Sequence, residues 1–158
     1  VKVMGFFSRK KKEEFVCPMT GILCPMEEVP DPAFSEKLMG DGFAVELTEG
    51  AVKAPVSGTI AAAFPTGHAF GIQTKEGMEI LIHIGIDTVN LQGQGFAVKV
   101  KAGDTVKQGD VLVDVDVDYV KGQGKSVCSP VIFTGGQKIE LLKTGAVEAG
   151  EGNIIKIK

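Results

Sequence analysis

Cysteines are few in this sequence, and their placement argues against whole classes of site. Cys17, Cys24 and Cys128 are the three present, an odd number with no CxxC spacing. Cysteine zinc sites and disulfide frameworks need paired, regularly spaced thiols, so the pattern argues against both. Free thiols are typical of a reducing compartment, and we therefore expect a cytoplasmic protein.

Long apolar runs and an excess of basic residues are also missing. No run approaches the roughly 20 apolar residues of a membrane-spanning helix. The chain has 17 Lys and Arg against 20 Asp and Glu, for a formal net charge of −3. A nucleic-acid-binding protein needs a basic surface to neutralise phosphates, so this balance argues against nucleic acid as a partner. It suits a surface that attracts a basic protein.

Residues 1–14 differ in composition from the rest, because they combine Phe6 and Phe7 with Arg9 and a run of lysines. They lack the apolar core and cleavage site of a signal peptide. We expect a flexible tail or linker here, followed by one domain over residues 15–158. A weak membrane-surface anchor is the alternative, since basic apolar segments bind anionic membranes. If the tail does not bind membranes, we expect the protein to associate with a membrane only through a partner protein.

Glycine and proline are abundant, at 21 and seven residues, and they divide the chain into short apolar runs. Runs of about four to eight residues between turn residues predict strands. We expect strands at 42–47, 58–63, 69–74, 78–84, 96–100, 111–117, 131–134 and 154–158. Helical turns are expected only at 33–39, 87–91 and 116–120, the second with Asp87 able to cap it. The sequence predicts an all-β domain of the sandwich or barrel type.

A weak internal repeat accompanies this pattern. Residues 17–21 and 54–58 share a small-Pro-apolar-hydroxyl-Gly pattern, 37 residues apart. The repeat suggests duplicated, turn-linked hairpins and says nothing about chemistry.

Three short motifs resemble ligand sites but are incomplete. Residues 124–126 end like a P-loop, yet Tyr119 stands where its first glycine belongs. Residues 93–95 begin like a dinucleotide fingerprint, yet Val98 replaces its third glycine. The alternating aspartates of residues 114–118 begin like a calcium loop, but Tyr119 takes its glycine position, and we expect a half-exposed strand there.

His68 and His83 are the chain's two histidines and its most reactive candidates. On the strand predicted for 78–84, His83 alternates with isoleucines, so it should face away from the core near the strand's end. A neutral imidazole nitrogen can attack phosphorus, and a second imidazole can donate a hydrogen bond to the transferred oxygens. The alternative is that both are incidental, half-exposed histidines. A stable zinc site needs three or four ligands, and the sequence offers no third nearby.

The two histidine segments resemble the glucose-type enzyme IIA family of the bacterial phosphoenolpyruvate:sugar phosphotransferase system. Residues 83–91, His-Ile-Gly-Ile-Asp-Thr-Val-Asn-Leu, are similar to its signature. Residues 66–70, Thr-Gly-His-Ala-Phe, are similar to its second histidine segment, at the same spacing of 15 residues. Residues 31–42 and 54–58 match two further blocks. The resemblance runs in order from about residue 17 to the C-terminus. It implies an antiparallel β-sandwich of the barrel-sandwich type, with both histidines in a shallow apolar depression.

The resemblance also implies the chemistry. His83 would accept a phosphoryl group on Nε2 from the phosphohistidine of the small carrier HPr and pass it to a cysteine of the enzyme IIB domain. His68 would donate a hydrogen bond to the phosphoryl oxygens. Thr66 would orient the His68 ring, and the backbone near Gly85 would fix the His83 tautomer. No cofactor would be required, although a zinc ion could be shared at an interface by His68 and His83.

A partner-binding rim is the last implication of the resemblance. Its apolar members would be Phe34, Phe64, Phe70 and Leu81, and its acidic members, Asp31 and Asp87, would meet an arginine of the carrier. An apolar rim excludes water at docking and so protects a labile P–N bond. Ordinary core packing is the alternative for the apolar members, and helix capping for the acidic ones. Gly67 and Gly71 are smaller than the residues often found at these positions in the family.

Two other functions compete with phosphoryl transfer. A regulatory module could dock to metabolic enzymes or transporters according to its phosphorylation state, using the same histidine face. A lipoyl-like carrier domain would share the sandwich features, but this sequence has no lysine in the hairpin motif that such a domain requires.

Overall fold

The computed structural model describes residues 13–158. These residues form thirteen strands, two short α-helices and two 3₁₀ turns. The strands are β1 Gly21–Pro25, β2 Asp41–Leu47, β3 Ala51–Lys53, β4 Gly58–Ala63, β5 Ala69–Gln73, β6 Glu79–His83, β7 Phe96–Val98, β8 Thr105–Val106, β9 Val111–Val115, β10 Cys128–Phe133, β11 Ile139–Leu141, β12 Gly145–Val147 and β13 Ile155–Ile157. The helices are α1 Pro32–Ser35 and α2 Val117–Gly122, and the 3₁₀ turns are Met26–Glu28 and Thr88–Leu91.

The strands form three sheets. The largest has the order β12-β1-β2-β10-β6-β5-β4-β8, a second has the order β3-β9-β7, and β11 pairs with β13. Every strand pair is antiparallel. Apolar side chains of the eight-stranded and three-stranded sheets meet in one core, as in a β-sandwich. The predicted antiparallel β-sandwich with few helical turns is confirmed.

All eight predicted strands are present, although the ends of most of them differ. The strand over Gly58–Ala63 has the predicted bounds. The strand predicted for 111–117 ends at Val115, because Asp116 begins α2 by accepting a hydrogen bond from the Tyr119 backbone N–H at 3.0 Å. The half-exposed strand expected over the aspartates is therefore wrong beyond Val115. The turn predicted for 33–39 shortens to α1, and Lys37 beyond it takes a left-handed φ of 58°.

The internal repeat corresponds to two equivalent corners of the structure. The backbone N–H and C=O of Cys17 bond to residues 151 and 150 at 2.8 Å each, and those of Ala54 bond to residues 110 and 109 at 2.8 and 2.9 Å. Three positions after each of these residues stands a hydroxyl side chain. Thr20 Oγ1 accepts the backbone N–H of residue 149 at 3.0 Å, and Ser57 Oγ accepts that of residue 108 at 2.9 Å. The repeated sequence pattern thus builds the same hydrogen-bonded corner twice.

A second apolar cluster covers the other face of the large sheet. Alternate side chains of β10 belong to different clusters: Val131 and Phe133 lie in the main core, whereas Cys128 and Ile132 lie in the second cluster. Phe34 of α1 also belongs to the second cluster. Since successive residues of a strand point to opposite faces, the segment around α1 provides a cover for this face of β10 and β6.

Residues 1–12, with most of the predicted tail and its membrane-anchor alternative, lie outside the described residues. At residue 15 the chain enters the main core: the Phe15 ring lies 6.0 Å from the Phe43 ring and 5.5 Å from the Phe133 ring, between centroids. The boundary between tail and domain stays a prediction. Within residues 13–158 no helix has the length and apolar character needed to cross a bilayer.

Candidate functional site

The β5–β6 hairpin brings the two histidines together. Ala69 of β5 pairs directly with His83 of β6, and the backbone N–H of Ile84 donates to the carbonyl of His68 at 2.6 Å. The two imidazole rings meet edge to face, with centroids 5.3 Å apart and planes 76° apart. Two side chains separated by 15 residues in sequence therefore form one site.

His83 lies on the face predicted for it. Ile80 and Ile82 are buried in the main core, and the half-buried Leu81 packs against the second cluster. His83 shares the face of Leu81, at the end of β6. The Phe34 ring packs beside the His83 ring, with centroids 5.1 Å apart. The second cluster therefore forms an apolar floor next to the imidazole.

One hydrogen bond defines the His83 tautomer. Its Nδ1 lies 2.8 Å from the carbonyl oxygen of Gly85. A carbonyl oxygen can only accept, so Nδ1 carries the proton and donates. In the neutral ring, Nε2 then holds the free lone pair, which makes it the nucleophilic nitrogen.

Gly85 is a position that only glycine fits. Its φ is +72°, in the left-handed region. A Cβ built on it would lie 2.6 Å from the Ser126 carbonyl oxygen and 2.6 Å from Thr88 Cγ2. Both contacts are far shorter than ordinary van der Waals distances, so the backbone can turn back toward His83 only because no side chain is present.

His68 is almost entirely buried, at 6% exposure. A hydrogen bond joins Thr66 Oγ1 to its Nδ1, so the hydroxyl restrains the rotation of the ring. The Phe64 ring lies against the other side, with centroids 5.1 Å apart. Beside them, Gly67 has a φ of +74°, and a Cβ there would approach Val98 Cγ2 to 2.7 Å. The absence of a larger residue at position 67 thus has a local structural cause.

Both histidines are held toward their neutral forms. Burial lowers the pKa of His68, and the nearby charge of His83 lowers it further. Burial also lowers the pKa of His83, while the Gly85 carbonyl and the carboxylates of Asp31 and Asp87 act in the opposite direction. The balance favours a neutral, nucleophilic His83 whose ring nevertheless lies in a negative field.

The apolar residues assigned to the rim occupy different environments. Phe64 is 45% exposed and Leu81 is half-buried, while Phe34 is buried beside His83. Phe70 is fully buried in the main core, so its rim assignment is wrong. Its cross-strand partner is Ile82, and directly paired residues share a face, which here is the interior face.

The outer-face residue next to Phe70 is Gly71, which pairs with Leu81. A Cβ at Gly71 would lie 3.6 Å from the Ala62 Cβ, an ordinary contact. A small residue is therefore allowed but not required here, and Gly71 lines a depression beside Leu81.

The two acidic residues also differ. The carboxylate of Asp31 caps α1 by accepting the backbone N–H of Ala33 at 2.9 Å. Asp87 is exposed, takes a φ of 60° and makes no side-chain cap bond to the 3₁₀ turn that follows it. The expected cap at Asp87 is therefore absent, and its carboxylate stays free to meet another charge.

Two buried hydroxyl residues near His83 were missed by the sequence analysis. Ser129 Oγ accepts the backbone N–H of Gly85 at 3.0 Å. Thr88 Oγ1 donates to the carbonyl of Ile84. Thr88 lies within the family signature, but Ser129 has no local sequence signal, because its role depends on a contact 44 residues away.

Two surface depressions of the structure are not lined by either histidine. One, of about 190 Å³, is lined in part by Gly71 and Leu81, and the other, of about 480 Å³, is lined by residues 95–97 and 114–116. Within residues 13–158, no group of three or more His, Cys, Asp or Glu side chains is arranged to hold a metal ion. The arrangement thus offers one free imidazole nitrogen, a second imidazole beside it, an apolar floor and two carboxylates.

The sequence of this chain is similar to those of known proteins. Residues 13–139 match the family model described as phosphoenolpyruvate-dependent sugar phosphotransferase system, EIIA 1. A PTS system glucose-specific EIIA component of Halalkalibacterium halodurans is 45% identical over 151 residues, covering 94% of this chain and 87% of that protein. One from Bacillus cereus is 41% identical over 159 residues, covering 99% and 96%.

A solved structure agrees with these relatives. The glucose permease IIA from Mycoplasma capricolum has a TM-score of 0.85 and 45% sequence identity, covering 96% of this chain and 99% of that one. The likeness thus extends over nearly all of both chains. The chain belongs to the glucose-type EIIA family of the phosphoenolpyruvate-dependent sugar phosphotransferase system.

Proposed function

We propose that this EIIA chain is a cytoplasmic phosphoryl carrier that accepts a phosphoryl group from phospho-HPr on Nε2 of His83 and passes it to a cysteine of an enzyme IIB domain. The hydrogen bond from His83 Nδ1 to the Gly85 carbonyl carries the proposal, since it leaves Nε2 with the lone pair. Membership of the family supports the exchange of a phosphoryl group with other components of the system.

In the accepting step, the Nε2 lone pair of His83 attacks phosphorus and the donor's N–P bond breaks, with its electron pair returning to the donor imidazole. The proton on Nδ1 stays in place, so the phosphorylated ring carries positive charge. The Gly85 carbonyl stabilises that charge through the 2.8 Å hydrogen bond. The carboxylates of Asp31 and Asp87 stabilise it electrostatically, in the sense in which they act on the His83 pKa. In the delivery step, the cysteine thiolate of enzyme IIB attacks phosphorus, the Nε2–P bond breaks, and its electron pair returns to Nε2 of His83.

His68 is proposed to stabilise the transferred group rather than to carry it. If the Thr66 hydroxyl donates to His68 Nδ1, the ring proton resides on Nε2 and can point at the phosphoryl oxygens. Because the ring is buried between Phe64 and the β5–β6 hairpin, this donor is positioned before the reaction begins. A preorganised donor stabilises the charge that develops during transfer.

The shape and charge of the surface support a protein as donor. The exposed ring of Phe64 can exclude water around the phosphoryl group during docking. Asp31 and Asp87 offer negative charge to an arginine of the carrier. We propose that no metal is needed for the transfer. A zinc ion at His68 and His83 would need its remaining ligands from another protein.

The proposal is tested by incubating the protein with labelled phosphoenolpyruvate, enzyme I and HPr, and then adding a cognate enzyme IIB. Wild type should become labelled and deliver the label, His83→Gln should remain unlabelled, and His68→Gln should accept the label but fail to deliver it. Labelling of His83→Gln at the wild-type rate would overturn the assignment. A purely regulatory docking module would bind its targets yet never deliver label to enzyme IIB.

A further inference from the structure

The turn at Gly85 is fixed by hydrogen bonds at every polar atom of its two flanking peptides. In the first peptide, the Ile84 carbonyl accepts from Thr88 Oγ1, and the Gly85 N–H donates to Ser129 Oγ at 3.0 Å. In the second peptide, the Gly85 carbonyl accepts from His83 Nδ1 at 2.8 Å. The backbone N–H of Ile86 donates to the carbonyl of Ser126 at 3.1 Å. The orientation of the Gly85 carbonyl therefore depends on side chains outside the hairpin.

Ser129 and Thr88 reach this turn from different parts of the chain. Ser129 belongs to β10, which pairs with β6, and its hydroxyl also donates to the Val127 carbonyl at 2.9 Å. Thr88 begins the 3₁₀ turn that follows Asp87. Both residues have 0% exposure, so neither can touch a docked protein or a transferred phosphoryl group. Any effect that they have on His83 must pass through the backbone.

Glycine makes this support necessary. A residue without a Cβ populates positive and negative φ almost equally, so a glycine turn has little preference of its own. If either peptide rotates, the Gly85 carbonyl leaves His83 Nδ1, and a neutral imidazole can then hold its proton on either nitrogen. Buried hydroxyls that satisfy both ends of the first peptide oppose that rotation.

We propose that Ser129 and Thr88 are positioning residues that hold the Gly85 turn in the orientation that restricts His83 to its Nδ1–H tautomer. The inference deepens the proposed function, since this tautomer presents Nε2 for phosphorylation. The structural part stands independently, because the tautomer is a property of the unphosphorylated protein.

The test compares Ser129→Ala and Thr88→Val with the matched control Thr20→Val. Thr20 also uses its hydroxyl in a backbone hydrogen bond, accepting from Ala149 at 3.0 Å, but at a corner of the fold formed by other strands. The ring nitrogens of ¹⁵N-histidine-labelled protein are observed by NMR above the pKa of His83, where Nδ1–H and Nε2–H tautomers have distinct chemical shifts. The same samples are then phosphorylated, and the nitrogen that bears phosphorus is identified.

Wild type and Thr20→Val should show His83 with its proton on Nδ1 alone. Ser129→Ala and Thr88→Val should show averaged shifts from mixed tautomers, a several-fold slower phosphorylation and some product on Nδ1. A pure Nδ1–H tautomer in both folded variants would overturn the proposal. If Ser129→Ala fails to fold, Thr88→Val alone decides. Mixed tautomers combined with a wild type that accepts no phosphoryl group would support the positioning role and reject the proposed function.

Discussion

The imidazole rings of His68 and His83 meet edge to face, with centroids 5.3 Å apart. At this separation a charge on one ring disfavours a charge on the other. Burial acts in the same direction on both. The pair is therefore built to stay neutral under conditions in which free imidazole would begin to take up protons.

The two rings should take up protons at a lower pH than free imidazole does. Because burial lowers both pKa values, NMR titration should give midpoints below about 6.5 for His68 and His83. In His83→Gln the midpoint of His68 should rise, since the neighbouring charge is removed. Midpoints at or above the ordinary value in the wild type would contradict the account.

The same shifts predict how stability depends on pH. A folded-state pKa below the unfolded one means that the unfolded chain binds protons first as the pH falls. The free energy of unfolding should therefore decrease as the pH drops below about 6.5, and this contribution should level off below the folded-state pKa values. Urea denaturation at successive pH values measures it. In a His68→Gln, His83→Gln double variant, the slope in this interval should be smaller; an equal slope would show that other groups cause it.

Gly85 and Gly77 provide a matched pair of substitutions. Both have positive φ, +72° and +91°, but a Cβ would meet two atoms at 2.6 Å at Gly85 and nothing within 4 Å at Gly77. Gly77→Ala should cost only the left-handed backbone strain, about 1–2 kcal/mol. Gly85→Ala adds a steric clash, so it should lower the free energy of unfolding further and slow phosphorylation of His83. Thermal denaturation measures the stability of both variants. An equal loss of stability in the two would contradict the close contacts described at Gly85.

Substitutions of Phe64 and Phe70 test whether Phe64 lies on the docking surface and Phe70 in the core. Phe70→Ala removes a fully buried ring and should cost about 3–5 kcal/mol of stability. Phe64→Ala removes a 45% exposed ring and should cost much less, while raising the KM for phospho-HPr several-fold. Denaturant unfolding and transfer kinetics separate the two effects. An unchanged KM in Phe64→Ala would remove this ring from the docking surface.

Asp31 and Asp87 are predicted to act through charge. Asn is as good an N-cap as Asp, so Asp31→Asn should keep α1 intact, and Asp87 makes no cap bond to lose. Both Asn variants should slow phosphorylation by a basic carrier at low salt, and the difference should shrink at high salt. Glu76→Gln is the control, because this exposed residue lies in the turn at the opposite end of the β5–β6 hairpin. An equal slowing in the control would argue against a local charge effect.

The sequence predicted much of this protein because its signals are local. Alternating isoleucines gave β6 and the outward position of His83, and glycines marked the strand ends. Short strands such as β3 (Ala51–Lys53) and β8 (Thr105–Val106) were missed, since two or three residues carry no periodicity. At residues 116–120 the two sequence patterns overlapped, and the structure has a helix there because the Asp116 side chain caps its first turn.

The site required information that a single sequence does not contain. Phe70 was placed on the rim by its resemblance to a family position, and only the pairing of Phe70 with Ile82 shows that it faces the interior. Ser129 lies in an apolar run with no motif of its own. Its contact with Gly85 exists because β10 and β6 are neighbours in the sheet, which no local pattern predicts.

The most direct test of the central claim is to locate the phosphoryl group itself. The protein is phosphorylated with phosphoenolpyruvate, enzyme I and HPr, and the acid-labile phosphate is mapped by mass spectrometry and by ¹⁵N–³¹P coupling. The account predicts a single phosphohistidine, at His83 and on Nε2, the nitrogen left free by the Gly85 hydrogen bond. Phosphate on His68, or on Nδ1 of His83 in the wild type, would contradict it.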